Sequence, residues 1–243
     1  MDNAARILVV SLHKCGTHLL IGMLERVGLH PVWMNDQYER YTWEHLARLA
    51  PDQYILTHYP PSHPEVYGRI EEGAVKAVLN YRDPRDACVS SVMWMGSENT
   101  KVTSSVREFT KKVNAHFEDQ DAFLESAIRC ERLNPIAMPF AEGFRLSRSL
   151  LFHPAVHKVR FEDLVGESGG GGTRIQQEMA INDLLRFLET AGDASELARE
   201  ACNPQSHTFA RGRVGSHREV FKRHHHRLFQ ELHFEILRDY GYR

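Results

Sequence analysis

Residues 9–20 read Val-Val-Ser-Leu-His-Lys-Cys-Gly-Thr-His-Leu-Leu, and the fold turns on how that stretch is parsed. It begins inside a short apolar run, Ala5–Ser11, that ends at polar loop residues. Apolar side chains at Leu19, Leu20, Met23, Leu24 and Val27 then recur at helical spacing as far as Gly28. A continuous apolar run suits a strand buried on both faces of a parallel sheet, and the period after it suits a helix closed by glycine. Such a strand–loop–helix aims the first N–H groups of the helix, and its positive end, at one point. Lys14 adds a full charge there, Gly16 lets backbone approach an anion, and Thr17 adds a hydroxyl donor. An ordinary βα turn uses the same residue types, so the loop alone fits either an anion site or a plain connection. It is not a Walker A loop, whose GxxxxGK[ST] puts lysine after glycine, because here Lys14 precedes Gly16.

The pattern repeats outward. Thr42–Ala50 reads as helical, and Tyr54–His58 as a second strand stopped by Pro60 and Pro61. Pro64–Glu72 reads as a helix opened by proline and closed at Gly73. Val75–Arg82 is a third strand, and Asp83-Pro84 opens a helix running to about Met95. Gly96–Ser105 reads as a mobile polar loop, with two or three helices between Val106 and Leu151. Val156–Phe161 is a fourth strand, and the four glycines within Glu167–Thr173 predict a flexible excursion. Ile175–Thr190 is amphipathic, with Ile181, Leu184, Leu185 and Leu188 on one side; His224–Tyr240 carries Leu228, Leu232, Ile236 and Leu237. Strands alternating with helices predict an α/β three-layer domain, a central parallel sheet of about four to five strands flanked by helices.

Bulk properties narrow the function. The chain has 243 residues, enough for a closed core in one domain, and its net charge of -2 argues against a nucleic-acid binder working through a global basic field. No stretch has the length of a membrane span, and the N-terminal run lacks a basic leader and a small-residue cleavage site. The four cysteines, Cys15, Cys88, Cys130 and Cys202, form no CxxC pair and no zinc spacing, which fits reduced thiols and a cytoplasmic location. His224, His225 and His226 read as a solvated basic face, since adjacent helical positions point apart, so no metal is assigned to them.

Four segments, taken in order, are more specific. HKCGTHLL at His13–Leu20 resembles the PKSGTTWL loop of the PAPS-dependent sulfotransferases, which binds the 5′-phosphosulfate. LTHYPP at Leu56–Pro61 is similar to that family's KTHLP, whose histidine is the catalytic base. YRDPRDACVSS at Tyr81–Ser91 looks like RNPKDVAVS, the 3′-phosphate segment, and FARGRVGSHREVF at Phe209–Phe221 like RKGxxGDWKxxF, which closes over the donor. RFEDL at Arg160–Leu164 resembles the family's YEDL. The resemblance spans roughly residues 5–221, and it implies that residues 1–243 form a single sulfotransferase domain with a P-loop-like fold.

The resemblance implies sulfuryl transfer from PAPS, released as PAP, to a hydroxyl or amine of a small-molecule acceptor. His58 would be the general base, and Lys14 would stabilise the leaving oxygen. A transferred sulfuryl group carries less negative charge than a triphosphate, so no metal is required. The donor residues would be Lys14, Cys15, Gly16, Thr17, His18, Leu19, Arg82, Ser90, Phe161, Arg211 and Gly212. Ser90 lies about two helical turns into the helix after Arg82; both could reach a 3′-phosphate, whereas an isolated arginine more often pairs on the surface, here with Asp83 or Asp86. Arg85 is placed on the solvated face, and His13 and His18 would add only local positive charge.

Several positions depart from the family pattern. Ala210 replaces the arginine of RKG, Leu19 a tryptophan that stacks on adenine, and Leu56 a lysine that assists transfer. His13 replaces proline, Cys15 serine, Ser216-His217 Asp-Trp, and Phe161 the tyrosine of YEDL. The KxxxTVxxxE dimer motif is absent, with Lys222-Arg223 where Thr-Val would stand, which leaves the oligomeric state open. Two other classes stay in view: a nucleotide-type kinase, which would need ATP and magnesium, and a PAPS- or PAP-binding protein without catalysis.

Overall fold

The structure is a computed structural model, and it describes residues 5–34, 41–96, 111, 115–131, 140–201 and 213–243. These fall into two compact units, one within Met1–Arg82, Leu146–Pro204 and Gly212–Val214, the other within Asp83–Arg145, Gln205–Arg211 and Gly215–Arg243.

The first unit holds the sheet. Strands β1 (Arg6–Ser11), β2 (His30–Trp33), β3 (Gln53–Thr57), β4 (Val75–Tyr81) and β5 (His157–Arg160) lie in the order β2-β3-β1-β4-β5. Every pairing is parallel, with Val9 opposite Leu56 on one side and Val78 on the other. Leu8, Val9 and Val10 of the central strand are fully buried, as an apolar run between two helical layers must be. Helices α1 (Thr17–Arg26), α2 (Trp43–Ala47) and α3 (Pro64–Glu71) link the first four strands.

One sheet face (Ile7, Val9, Tyr54, Leu56, Val78) packs against Leu20, Met23 and Leu24 of α1 and against Ile181, Leu184, Leu185 and Leu188. α2 and α3 cover β1 and β4 from the other face. The flanked parallel sheet expected from the alternation is therefore present, with one strand the pattern did not reveal. His30–Trp33 is an edge strand of four residues containing a proline and having no fully buried side chain, so it carries neither an apolar run nor an alternation.

The glycine run is built differently from the flexible excursion expected. Glu167–Gly169 is a 3-10 turn, and the Gly171 N–H donates to the Gly166 carbonyl at 2.8 Å. The Gly169 carbonyl accepts from the Val214 N–H, also at 2.8 Å. A Cβ on Gly171 would lie 2.1 Å from the Glu162 carbonyl oxygen, so close backbone approach demands the glycine there. The helix that follows, Arg174–Leu188, starts on a Thr173–Gln176 capping box.

The second unit is helical. α4 (Pro84–Gly96) opens it, and the last helix, Arg223–Asp239, buries His225, Phe229, His233, Ile236 and Leu237. Leu232, expected on the buried side, is 43% exposed. Histidines replace leucines in the buried stripe because their nitrogens have backbone partners. His225 Nδ1 accepts from the Lys222 N–H at 3.1 Å, and His233 Nε2 donates to the Ile128 carbonyl at 2.6 Å.

The solvated basic face expected of His224–His226 is thus corrected. His225 is buried, and its ring lies 4.0 Å from that of His224, both within 3.5 Å of the Asp121 carboxylate. Because His225 Nδ1 accepts a hydrogen bond, the neutral ring carries its proton on Nε2, where a metal would need a lone pair. Asp121 is paired with the Lys222 ammonium at 2.8 Å.

Arg85 was expected on the solvated face, but it forms a two-point bond to Asp83 at 3.0 and 2.7 Å and is largely buried. Asp86 is fully buried, accepting from the N–H groups of Gly215 and His217 at 2.7 and 2.9 Å and from His217 Nδ1 at 2.8 Å.

Candidate active site

β1 is flanked by β3 and β4, so the connections leave it in opposite directions, and the loops at their carboxyl ends converge on the crevice where open α/β sheets hold ligands. Lys14, His58 and Arg82 follow those three strands.

The loop after β1 is tightly braced. Asn80 Nδ2 donates to Ser11 Oγ at 2.9 Å and to the Cys15 carbonyl at 3.1 Å. Ser11 Oγ meets Thr17 Oγ1 at 2.8 Å, so the Thr17 hydroxyl, expected to face an anion, is engaged inside the loop. The Cys15 N–H, also expected to face an anion, closes a turn onto the Leu12 carbonyl at 3.1 Å. Burial pushes the Cys15 thiol up, and it stays protonated. The first intrahelical bond of α1 runs from Leu20 N–H to the Gly16 carbonyl, so the N–H groups of Gly16, Thr17 and His18 precede the helical ladder. Asn80 carried no motif signal; a buried asparagine ending an apolar strand was its only mark.

Two residues of the loop have left-handed backbone, Lys14 at φ 62° and Gly16 at φ 86°. For lysine that conformation costs roughly 1 kcal/mol, and strain of this kind is retained where surroundings over-determine it. Lys14 is half-buried. Loss of hydration, with the charge of Arg82 adding to it, pushes its ammonium down to about 8, so it remains mainly charged at neutral pH.

Arg82 is buried at the end of β4, its guanidinium 4.4 Å above the Phe161 ring. It donates to the Lys14 carbonyl at 3.4 Å and to the Arg213 carbonyl at 2.6 Å. Phe161 also abuts the donor loop: a Cβ on Gly16 would fall 2.4 Å from its Cδ2. Lys14, Gly16, Arg82 and Phe161 are therefore brought together, while Leu19 packs against the sheet core. Ser90 is half-buried on α4, in the second unit. Arg211 and Gly212, and the loop expected at Gly96–Ser105 beyond Gly96, lie outside the described residues.

His58 directly follows β3 and is half-buried, and its Nδ1 lies 2.6 Å from the Ser11 carbonyl. A carbonyl only accepts, so Nδ1 carries the proton and the neutral ring has its basic lone pair on Nε2. The His13 ring stacks on His58 with centroids 3.9 Å apart, and Trp33 meets it edge-on at 5.8 Å. His13 was expected to add positive charge; loss of hydration beside His58 and Lys14 pushes it down to about 3, so it is neutral. His18 is shifted down for the same reasons. Trp33 joins this cluster through a strand that the motifs did not include, and Tyr59 through a position of LTHYPP to which no role was given.

No family model and no curated protein matches the chain. Among solved structures, mouse sulfotransferase SULT7A1 complexed with PAP is similar with a TM-score of 0.64 at 18% identity, covering 98% of this chain and 86% of that one. Retinol dehydratase in complex with androsterone and inactive cofactor PAP is similar with a TM-score of 0.55 at 14% identity, covering 96% of this chain and 80% of that one. Among the described residues no helix is long and apolar enough to cross a membrane. The parallel five-stranded sheet with flanking helices, matched over nearly the whole chain, is the fold of the PAPS-dependent sulfotransferases.

Proposed function

We propose that this chain is a PAPS-dependent sulfotransferase in which His58 takes the proton of a hydroxyl or amine acceptor as its oxygen or nitrogen attacks sulfur. The observation that carries the reading is the 2.6 Å contact of His58 Nδ1 with the Ser11 carbonyl, which leaves Nε2 as the base. The new bond to sulfur forms as the bond from sulfur to the 5′-phosphate oxygen breaks. Lys14, the N–H groups of Gly16 to His18 and the positive end of α1 stabilise the charge on that departing oxygen. Arg82 contributes to holding the 3′-phosphate by giving up its bond to the Arg213 carbonyl; Ser90, Arg211 and Gly212 join it through the resemblance of their segments. The whole chain works as one sulfotransferase domain, on a small-molecule acceptor and in the cytoplasm, with no metal assigned.

Lys14 makes the reading testable by pH. Its shift is downward, so in the free protein the ammonium is lost as pH rises through about 8. kcat/KM for PAPS is expected to fall above that pH, while Lys14→Arg, which keeps its charge, stays level. An identical alkaline fall in Lys14→Arg would remove Lys14 from the transfer step.

The nucleotide and the reaction are tested directly. Thermal shift with PAP, adenosine phosphosulfate and ATP–magnesium is expected to show stabilisation by PAP above the other two. Label from radioactive PAPS is expected to appear in members of a mixed acceptor library. Stabilisation by ATP–magnesium alone would favour the kinase reading. PAP binding without label transfer would favour a binding protein, a reading supported by Leu56, which is buried where the family lysine stands.

A further inference from the structure

The hydrogen bond from His58 Nδ1 to the Ser11 carbonyl sets the tautomer of the imidazole. A general base works only when its lone pair is held near a productive direction, because misplacement by about 1 Å costs on the order of a hundredfold in rate. Two aromatic neighbours bear on the ring, Trp33 edge-on at 5.8 Å and His13 across its face.

The His13 ring lies 3.9 Å from His58, tilted by 35°, closer than the roughly 4.5–7 Å usual between aromatic centroids. His13 is itself held, its Nε2 3.2 Å from the Tyr59 hydroxyl. Tyr59 in turn is 8% exposed and fastened at its backbone. Its N–H donates to Thr57 Oγ1 at 3.1 Å, and its carbonyl accepts from the Thr57 and Tyr41 hydroxyls, each at 3.2 Å. The brace therefore runs from fixed backbone through Tyr59 and His13 to the face of His58.

We propose that His13 is a positioning residue for His58, its ring fixing the plane of the imidazole through the anchor on Tyr59. The proposal rests on the reading of His58 as the base. Proline, which the related motif has at this place, offers neither an aromatic ring nor a nitrogen for Tyr59, so the brace belongs to this chain. The charge at His13 also suits the task. Shifted down to about 3 by loss of hydration and by His58 and Lys14, it stays neutral wherever His58 can act as a base. A neutral ring does not oppose the imidazolium that forms when His58 takes the acceptor's proton, whereas a charged one in contact would.

The test uses the whole chain with three substitutions. His13→Ala is expected to lower kcat by about tenfold to a hundredfold with PAP affinity unchanged. His13→Phe, which keeps a ring on the face of His58, is expected to recover most of that loss. Tyr59→Phe, which frees His13 from its anchor, is expected to lie between the two and carries the test if His13→Ala does not fold. Nitrogen-15 spectra of the His58 imidazole, assigned by their loss in His58→Ala, are expected to show the Nδ1–H tautomer in the parent and in His13→Ala alike, with shifted and exchange-broadened signals in His13→Ala as the ring plane loosens. Parent-like kcat in His13→Ala, a fall in PAP affinity that tracks kcat, or unchanged His58 signals would each overturn the proposal. The spectra need no turnover. Altered His58 signals in a chain that transfers no sulfuryl group would therefore support the brace and count against the base reading alone.

Discussion

Replacing His58 with alanine is expected to lower kcat for sulfuryl transfer by about 10²–10⁴-fold while leaving PAP affinity within twofold of the parent, the range ordinarily supplied by a positioned general base. The asymmetry follows from placement. His58 directly follows β3 and bonds to the Ser11 carbonyl, so its removal deletes a proton acceptor but no donor to a phosphate. PAP lacks the sulfuryl group and is bound in the absence of any acceptor, so its affinity does not draw on the base. Single-turnover kinetics with labelled PAPS and calorimetry with PAP measure the two quantities separately. Retained turnover would remove His58 as the base. A parallel loss of PAP affinity would show instead that the ring holds the loop after β1 in shape.

Gly16→Ala is expected to destabilise the fold by about 2–5 kcal/mol, combining roughly 1–2 for a non-glycine residue in left-handed backbone with about 1–3 for overpacking. Both contributions are visible. Gly16 sits at φ 86°, and its Cβ would fall 2.4 Å from Phe161 Cδ2, a ring that is itself buried beneath Arg82. Neither neighbour can move cheaply, because Arg82 is also bonded to the carbonyls of Lys14 and Arg213. Urea unfolding of Gly16→Ala, Phe161→Ala and the double variant separates the causes. In the Phe161→Ala background the cost of Gly16→Ala is expected to shrink to the backbone contribution. If the costs simply add, the clash is relieved some other way and Phe161 does not bear on Gly16.

The elements carrying the site were legible wherever side-chain periodicity was set by burial. β1, β3 and β4 are apolar runs because helices cover both faces, and α1 shows its period because one side faces the sheet. The signals failed where burial was satisfied by hydrogen bonding. The last helix buries His225 and His233 through backbone partners, and the glycine run is ordered by carbonyl contacts that no hydropathy pattern records. Its edge position hid β2, and with it the approach of Trp33 to His58.

The candidate site divides along the same line. Lys14, Gly16, His58 and Arg82 were marked by local motifs, since each must be one residue type at one place on a strand end. Chain order and residue type thus determined the sheet, the loop after its first strand and the identity of the charged and basic groups. Tertiary structure alone decided how those groups are spent. Asn80 and Thr17 brace the loop, Arg82 lies over Phe161 with two carbonyls, and Ser11 selects the tautomer of His58. It also set His13 neutral against the base. Those outcomes depend on distances between strand ends far apart in the chain, and on how much water each group loses there, and neither is encoded in any local run of residues.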